Sequence, residues 1–237
     1  MCWSLRNNFT SISMVVFSSI VQWVLIRESE MFTHALPFLS GLSTADTFSG
    51  NEYFILCSIF PIPFFLMLFS GKVYDLTEGY GKVLIVREYS KNRLLCVMYL
   101  RSLLWIGLIA CYLLALFSIG ESEQWEPLTG GQTIAGIFLY GLTLAVCVQL
   151  QFALELYFKA HQSWILVILF FTLSLFLAAN EGSQSCISFL LFPNLAFAHR
   201  NGVLAGEDIT GEALWLTLIW LTLGVFCLKK FKRKDIM

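Results

Sequence analysis

Few positions in this chain carry residue types that could do chemistry. Glu155, Lys159 and His161 stand together at the end of a long apolar run, where ionisable side chains come nearest to its interior. A carboxylate and an imidazole so placed could pass a proton, the usual signature of an ion-coupled carrier. Glu155 and Lys159 are also four residues apart, acid first, which is the spacing of an ordinary helical ion pair. That simpler role, an ion pair at the membrane edge, is the expectation. Gln22, Gln149 and Gln151 sit in apolar runs and are expected to hydrogen-bond between helices. The cysteines (Cys2, Cys57, Cys96, Cys111, Cys147, Cys186 and Cys227) show no CxxC or Cys/His spacing. Neither a metal site nor a disulfide framework is expected from them; they read as small buried hydrophobes.

Motifs for nucleotide chemistry or hydrolysis are missing. Gly71-Lys72 and Gly81-Lys82 lack the upstream glycine of a phosphate-binding loop, and Val follows each lysine. HExxH, GxSxG and an acid/base constellation are absent. The chain is therefore expected to be no enzyme by itself, with no catalytic residue, metal or cofactor of its own.

The elements that position these residues follow from composition. Of 237 residues, 57% are hydrophobic and 13% charged. A soluble domain carries about a quarter charged residues, so lipid must be much of the solvent. Six apolar runs approach bilayer-crossing length: Phe9 to Ile26, Tyr53 to Ser70, Ser102 to Ile119, Ile134 to Ala153, Trp164 to Ala179 and Ala213 to Leu228. Period-two alternation is absent, so the runs predict helices rather than barrel strands. The first follows Arg6 but has no small-x-small cleavage site, and reads as a retained span rather than a signal peptide. The expectation is an all-α polytopic membrane protein, residues 1–237 forming one transmembrane domain.

Basic residues set the expected orientation. With the amino terminus in the cytosol, Arg6, the connection from Gly71 to Arg101, the turn at Lys159 and the tail after Leu228 all lie inside. Of the 15 Lys and Arg residues, only Arg27 and Arg200 then fall outside. Most acidic residues sort the other way, so a net charge of -1 conceals a basic inner face and an acidic outer one.

Pro61 and Pro63 flank Ile62 in span two and mark a break or hinge. The loop from Arg27 to Glu52 has room for a short interfacial helix. Glu121 to Thr133 is turn-like, with EPLTGG supplying a proline and paired glycines. Cys186 to Ala198, CISFLLFPNLAFA, is apolar but too short to span and is interrupted by Pro193. It suits either a re-entrant element with its backbone buried in protein or a helix lying flat on the outer surface. Between spans two and three, YGKVLIVREYSKNRLL packs Lys82, Arg87, Lys91 and Arg93 around a run of four aliphatic residues.

That last segment resembles the exporter-type, second-class ABC transporter permeases. In them a glycine-flanked aromatic, an aliphatic run, an arginine and a serine followed by basic residues lead into span three. The matching positions are Gly79, Tyr80, Gly81, Val83 to Val86, Arg87, Ser90, Lys91 and Arg93, with Leu94-Leu95 where relatives often have a tryptophan. A basic tail after the last span (Phe231, Lys232, Arg233, Asp235) and the proline-bearing segment before span six extend the resemblance across the chain.

The resemblance implies a bacterial plasma-membrane permease pairing with a second copy or homologue and with two cytosolic ATPase subunits. ATP and magnesium would be bound on those subunits. A cytoplasmic coupling helix is then expected near Tyr80 to Val86, with Tyr80, Val83 and Leu84 entering an ATPase cleft and Lys82, Arg87, Lys91 and Arg93 making charge-assisted contacts. Contact of the same basic residues with anionic lipid is the simpler alternative. Small permeases of this form commonly export peptides or protect against bacteriocins, so a peptide or other amphiphile is the expected cargo. No nucleic-acid partner is expected. A non-transporting membrane assembly or anchor protein is the competing class, and an ion-coupled carrier the third.

Overall fold

A computed structural model of the chain describes residues 3–27, 32, 34, 36–41, 52–77, 91–119, 125–178 and 189–233. The regular elements among the described residues are all helices, with no strand among them. These are α1 (Trp3–Arg27), α2 (Pro37–Ser40), α3 (Glu52–Ile59), α4 (Pro61–Met67), α5 (Lys72–Thr77), α6 (Lys91–Ile119), α7 (Gly130–Glu155), α8 (Ala160–Ala178), the 3-10 helix η1 (Phe192–Ala196) and α9 (Thr210–Arg233). Among the described residues six segments are long and apolar enough to cross a membrane: Phe9–Arg27, Leu56–Leu76, Asn92–Ile119, Gly130–Glu155, Ala160–Leu177 and Thr210–Lys232. The fold class expected from sequence is the one observed.

Four of these segments are peripheral and two are central. In α1, α6, α8 and α9 only 17–28% of the apolar window is buried, against 56% in α7 and in span two. The outward side chains of the peripheral helices, such as Phe17, Leu100, Leu104, Leu169, Leu218 and Leu221, are apolar and exposed. In water they would make the protein insoluble; in a bilayer they face acyl chains at no cost. α7 is enclosed by α6, α8, α9 and η1. It begins with a capping box, in which Gln132 N–H donates to Thr129 Oγ1 (3.3 Å) and Thr129 N–H to Gln132 Oε1 (3.0 Å). The paired glycines 130 and 131 thus start the helix rather than merely turning the chain.

Span two is not one helix. Pro61 cannot give its nitrogen to the Cys57 carbonyl one turn earlier, and α3 ends at Ile59. Phe60 keeps right-handed helical angles (φ -50, ψ -40), so the interruption is in hydrogen bonding more than in direction. A second break covers Leu68 to Gly71, where the backbone bonds are of the tighter i to i+3 kind and Gly71 has φ +81. The interruption expected at Pro61 and Pro63 is present, but the run expected to end at Ser70 has a second break and continues to Leu76.

Described parts of the connections after spans one, three and five meet at one end of the bundle, here termed the loop end; α1 begins and α9 ends towards the opposite end, here the termini end. The described part of the segment before span six does not lie flat on a surface. Phe192, Pro193, Asn194, Leu195, Ala196, Phe197 and Ala198 are all buried. The Phe192 ring lies 5.3 Å from that of Phe170, which is about 12 Å along α8 from Ala178 at about 1.5 Å per residue. From the other side Phe38 of α2 meets Tyr140 edge-on at 5.6 Å, about 15 Å along α7 from Gly130. The two insertions bind one another: Ala198 N–H donates to Leu39 O (2.9 Å) and His199 N–H to Ser40 O (3.0 Å). Gly41 permits this approach, because a Cβ there would lie 2.8 Å from Phe197 and its φ is +68.

Candidate functional site

Three polar side chains inside this bundle, Gln22, Gln151 and Glu155, are spent on the broken backbone of span two. Gln22 of α1, wholly buried, donates Nε2–H to Cys57 O (3.1 Å) and Ser58 O (2.8 Å). It supplies the donor that Pro61 withholds. Trp164 of α8 donates its indole N–H to Pro63 O at 2.9 Å. The two prolines expected to mark a hinge are therefore clamped from two neighbouring helices. In a low-dielectric interior an unpaired carbonyl costs several kcal/mol, roughly, so such partners are required wherever a span is interrupted.

The second break is served from α7, at the termini end. Glu155 Oε1 accepts from Gly71 N–H (2.8 Å) and Oε2 from Val73 N–H (3.1 Å). One carboxylate thus caps the start of α5. Gln151, one turn earlier on α7, donates to Glu155 Oε1 at 3.4 Å. With its amide turned over, Gln151 instead bridges Leu66 O and Ser70 N, each at 3.2 Å; in both orientations it serves the same break. Ser70 Oγ donates to Ala160 O (3.3 Å) at the start of α8. An aromatic column supports the joint: Phe65 on Phe69 (5.1 Å), Phe69 on Phe152 (6.3 Å), and Phe152 stacked on Tyr99 (5.9 Å).

The expected Glu155–Lys159 ion pair is not formed. α7 ends at Glu155 and the chain turns through Leu156 to Phe158, so Lys159 is not one helical turn farther on. Its N–H donates to Gln162 Oε1 instead (3.2 Å). The adjoining turn is held by Tyr157, whose ring stacks on Phe226 (6.2 Å) beneath Lys230 Nζ (4.9 Å).

Of the expected coupling residues, Tyr80, Lys82, Val83, Leu84 and Arg87 lie outside the described residues. Lys91 begins α6 and Arg93 is exposed one residue beyond Asn92. The segment between therefore departs from α5, which Glu155 caps, and re-enters at α6. Three cysteines (57, 147 and 227) are buried as expected, but Cys96 and Cys111 are exposed on the outer face of α6. Gln149 lies against Gly224 of α9, where an added Cβ would be 2.8 Å from Nε2.

Sequence reasoning missed the residues that fasten the loop end. Arg200 is buried and donates Nη1–H to Leu175 O (2.8 Å) near the carboxyl end of α8 and to Asn194 Oδ1 (3.0 Å). Helix carboxyl ends favour a cation, while burial pushes the Arg200 guanidinium down to about 10. Asn201 Nδ2 donates to Leu195 O (3.0 Å) and Gln132 Nε2 to Leu204 O (3.2 Å), joining the cap to itself and to α7. A pair of polar residues following a short apolar, proline-bearing run was the available signal.

The fold and these joints define a multi-pass helical membrane protein in which Gln22, Gln151 and Glu155 serve the interrupted second span. A family model described as "Protein of unknown function (DUF2705)" matches residues 14–237, and the chain belongs to that family. It is similar to "Uncharacterized protein YybK" of Bacillus subtilis (strain 168), 23% identical over 220 residues, covering 86% of this chain and 87% of that protein. No solved structure matches the chain.

Proposed function

We propose that this chain is the membrane-spanning permease subunit of an ATP-driven exporter, with both termini in the cytosol of a bacterial plasma membrane. The observation that carries the reading is the polar joint at the base of the basic connection. The interior of the bundle commits the buried carboxylate of Glu155 to the start of α5, after which the chain continues to the residues that include Tyr80 and Arg87. A passive basic loop would need no such anchor. Cytosolic ATPase subunits would bind that segment, with apolar contacts from Tyr80, Val83 and Leu84 and charge-assisted ones from Arg87, Lys91 and Arg93.

A second copy or homologue would complete the pathway, and a peptide or other amphiphile is the cargo class we favour. The scarcity of ionisable side chains within the spans favours such a cargo over an ion-coupled one. The test is purification from native membranes. An exporter subunit copurifies with a Walker-type ATPase, and reversing charge at Arg87 and Lys91 weakens that association without changing membrane insertion. A chain that purifies alone, or association indifferent to both reversals, favours the non-transporting anchor. Labelling of engineered cysteines with an impermeant maleimide checks orientation: Glu207→Cys reacts from outside and Lys230→Cys only after permeabilisation.

A further inference from the structure

α1 and α6 both start at the termini end. α1 packs chiefly on α4 and α6 chiefly on α7, and the gap between α1 and α6 holds a cavity of about 150 Å³. Its floor is Val15, Leu68 and Ile109, all buried, and its outer rim is Val16 and Leu108, both exposed. Leu68 reaches this floor from the second break of span two. At the loop-end edge Tyr112 O–H donates to Val16 O (3.4 Å) and ties the two helices together. An apolar cavity of this kind stays dry and accepts an apolar guest; here its rim faces acyl chains.

The charge pattern says what that guest carries. Ser102 to Ile119 contains no charged residue and extends about 27 Å at about 1.5 Å per residue, close to a hydrocarbon core of about 30 Å. Arg101 therefore stands at the edge of that core, on the termini side. It shares one stripe of α6 with the groove residues Trp105, Leu108 and Tyr112, three or four residues apart. Arg101 is exposed and forms no ion pair among the described residues. Lys72 of α5 lies within electrostatic range of it, but Asp75 and Glu155 answer Lys72. Trp105 is one turn farther into the core, and its N–H has no partner among the described residues. Helical side chains lean towards the amino end of their helix, which for Trp105 is the side of Arg101. From the membrane edge inward the order is thus an unpaired guanidinium, an unused N–H donor and an apolar slot.

We infer that this groove binds one anionic phospholipid of the leaflet at the termini end. Its phosphate sits on Arg101, an ester carbonyl accepts from Trp105, and one acyl chain lies along Val15, Leu68 and Ile109. A guanidinium holds phosphate through paired, charge-assisted bonds. The ammonium of a zwitterionic headgroup would be repelled by Arg101 and Lys72, so the site selects net negative lipid. It stands independently of the permease reading.

Native mass spectrometry of the full chain, delipidated in detergent, measures the site with equimolar phosphatidylglycerol and phosphatidylethanolamine of identical chains. The native protein should hold one phosphatidylglycerol in preference to phosphatidylethanolamine. Arg101→Ala should lower phosphatidylglycerol affinity at least about fivefold and affect the other lipid less. Arg101→Lys keeps a charge without the paired bonds and should be intermediate. Val16→Trp places a ring in the groove from its exposed rim and should weaken both lipids. Lys229→Ala, which removes an exposed lysine near the end of α9, should bind as the native protein does.

Equal affinity for the two lipids in the native protein, native preference in Arg101→Ala, or native binding in Val16→Trp overturns the inference. Displacement of the lipid by excess inorganic phosphate would reveal an anion site without a chain groove, and overturns it too. Should Arg101→Ala fail to accumulate, Arg101→Lys and Val16→Trp carry the same test.

Discussion

The clamp on the first break in span two can be tested as a thermodynamic cycle. Gln22 replaces the donor lost at Pro61, so the two residues should be energetically coupled although they lie on different helices. Gln22→Leu removes bonds of 3.1 and 2.8 Å to the Cys57 and Ser58 carbonyls. Depriving a buried acceptor of its partner costs about 1–3 kcal/mol. Part of that is offset, because Gln22 Oε1 finds no partner among the described residues and its removal relieves a buried polar atom. The net expectation is a loss of about 1–2 kcal/mol. In a Pro61→Ala background the new N–H can reach Cys57 O within the helix, and Gln22→Leu should then cost about 1 kcal/mol less. SDS-induced unfolding in mixed micelles, followed by tryptophan fluorescence, measures all four corners. Distant independent sites add within about 0.3–0.5 kcal/mol; additivity at that level would refute the idea that Gln22 serves the proline break.

Other expectations concern the two ends of the bundle. Lys159→Ala should change stability by no more than about 0.5 kcal/mol, while Glu155→Ala, which strands one buried and one part-buried N–H group, should cost about 2 kcal/mol; equal effects would restore the ion pair. Gly41→Ala should destabilise by more than about 2 kcal/mol, since left-handed backbone alone costs about 1–2 kcal/mol and the added Cβ meets Phe197 at 2.8 Å. Limited proteolysis should then cut earlier within 189–209. Glu126→Gln should be nearly silent in the same unfolding assay, because its 3.6 Å contact with His34 is made by a side chain that is 76% exposed. Arg200 gives a pH signature. Its folded-state value is depressed to about 10, so the unfolded chain keeps the proton to higher pH. The arginine's net contribution should be flat between pH 6 and 9 and rise above about pH 10. The stability gap between native protein and Arg200→Met, followed with pH, should therefore widen only in alkali; a gap that closes there contradicts the burial argument.

Much of the architecture was legible from composition. Runs such as Phe9 to Ile26 and Ser102 to Ile119 are apolar over bilayer-crossing lengths, and no other regular structure satisfies its backbone in lipid without a closed sheet. The six spans and the helical class follow from that local requirement. The interruption at Pro61 and Pro63 was equally visible, since a missing N–H is a property of the residue itself.

The sequence alone determined which stretches enter lipid, that they are helical, and where a proline must break one. Tertiary structure decided who repairs the breaks. Gln22, Trp164 and Glu155 act on carbonyls and N–H groups far away in the chain, and nothing local distinguishes a glutamine that serves a broken helix from one that bonds a neighbour. Lys159, with ideal spacing from Glu155, was left aside because the helix ended first. Likewise the burial of Phe192 to Ala198 depended on a groove between α7 and α8 that exists only once those helices have packed. Apolar pattern is a property of residues; the partner of an interrupted hydrogen bond is a property of the assembled bundle.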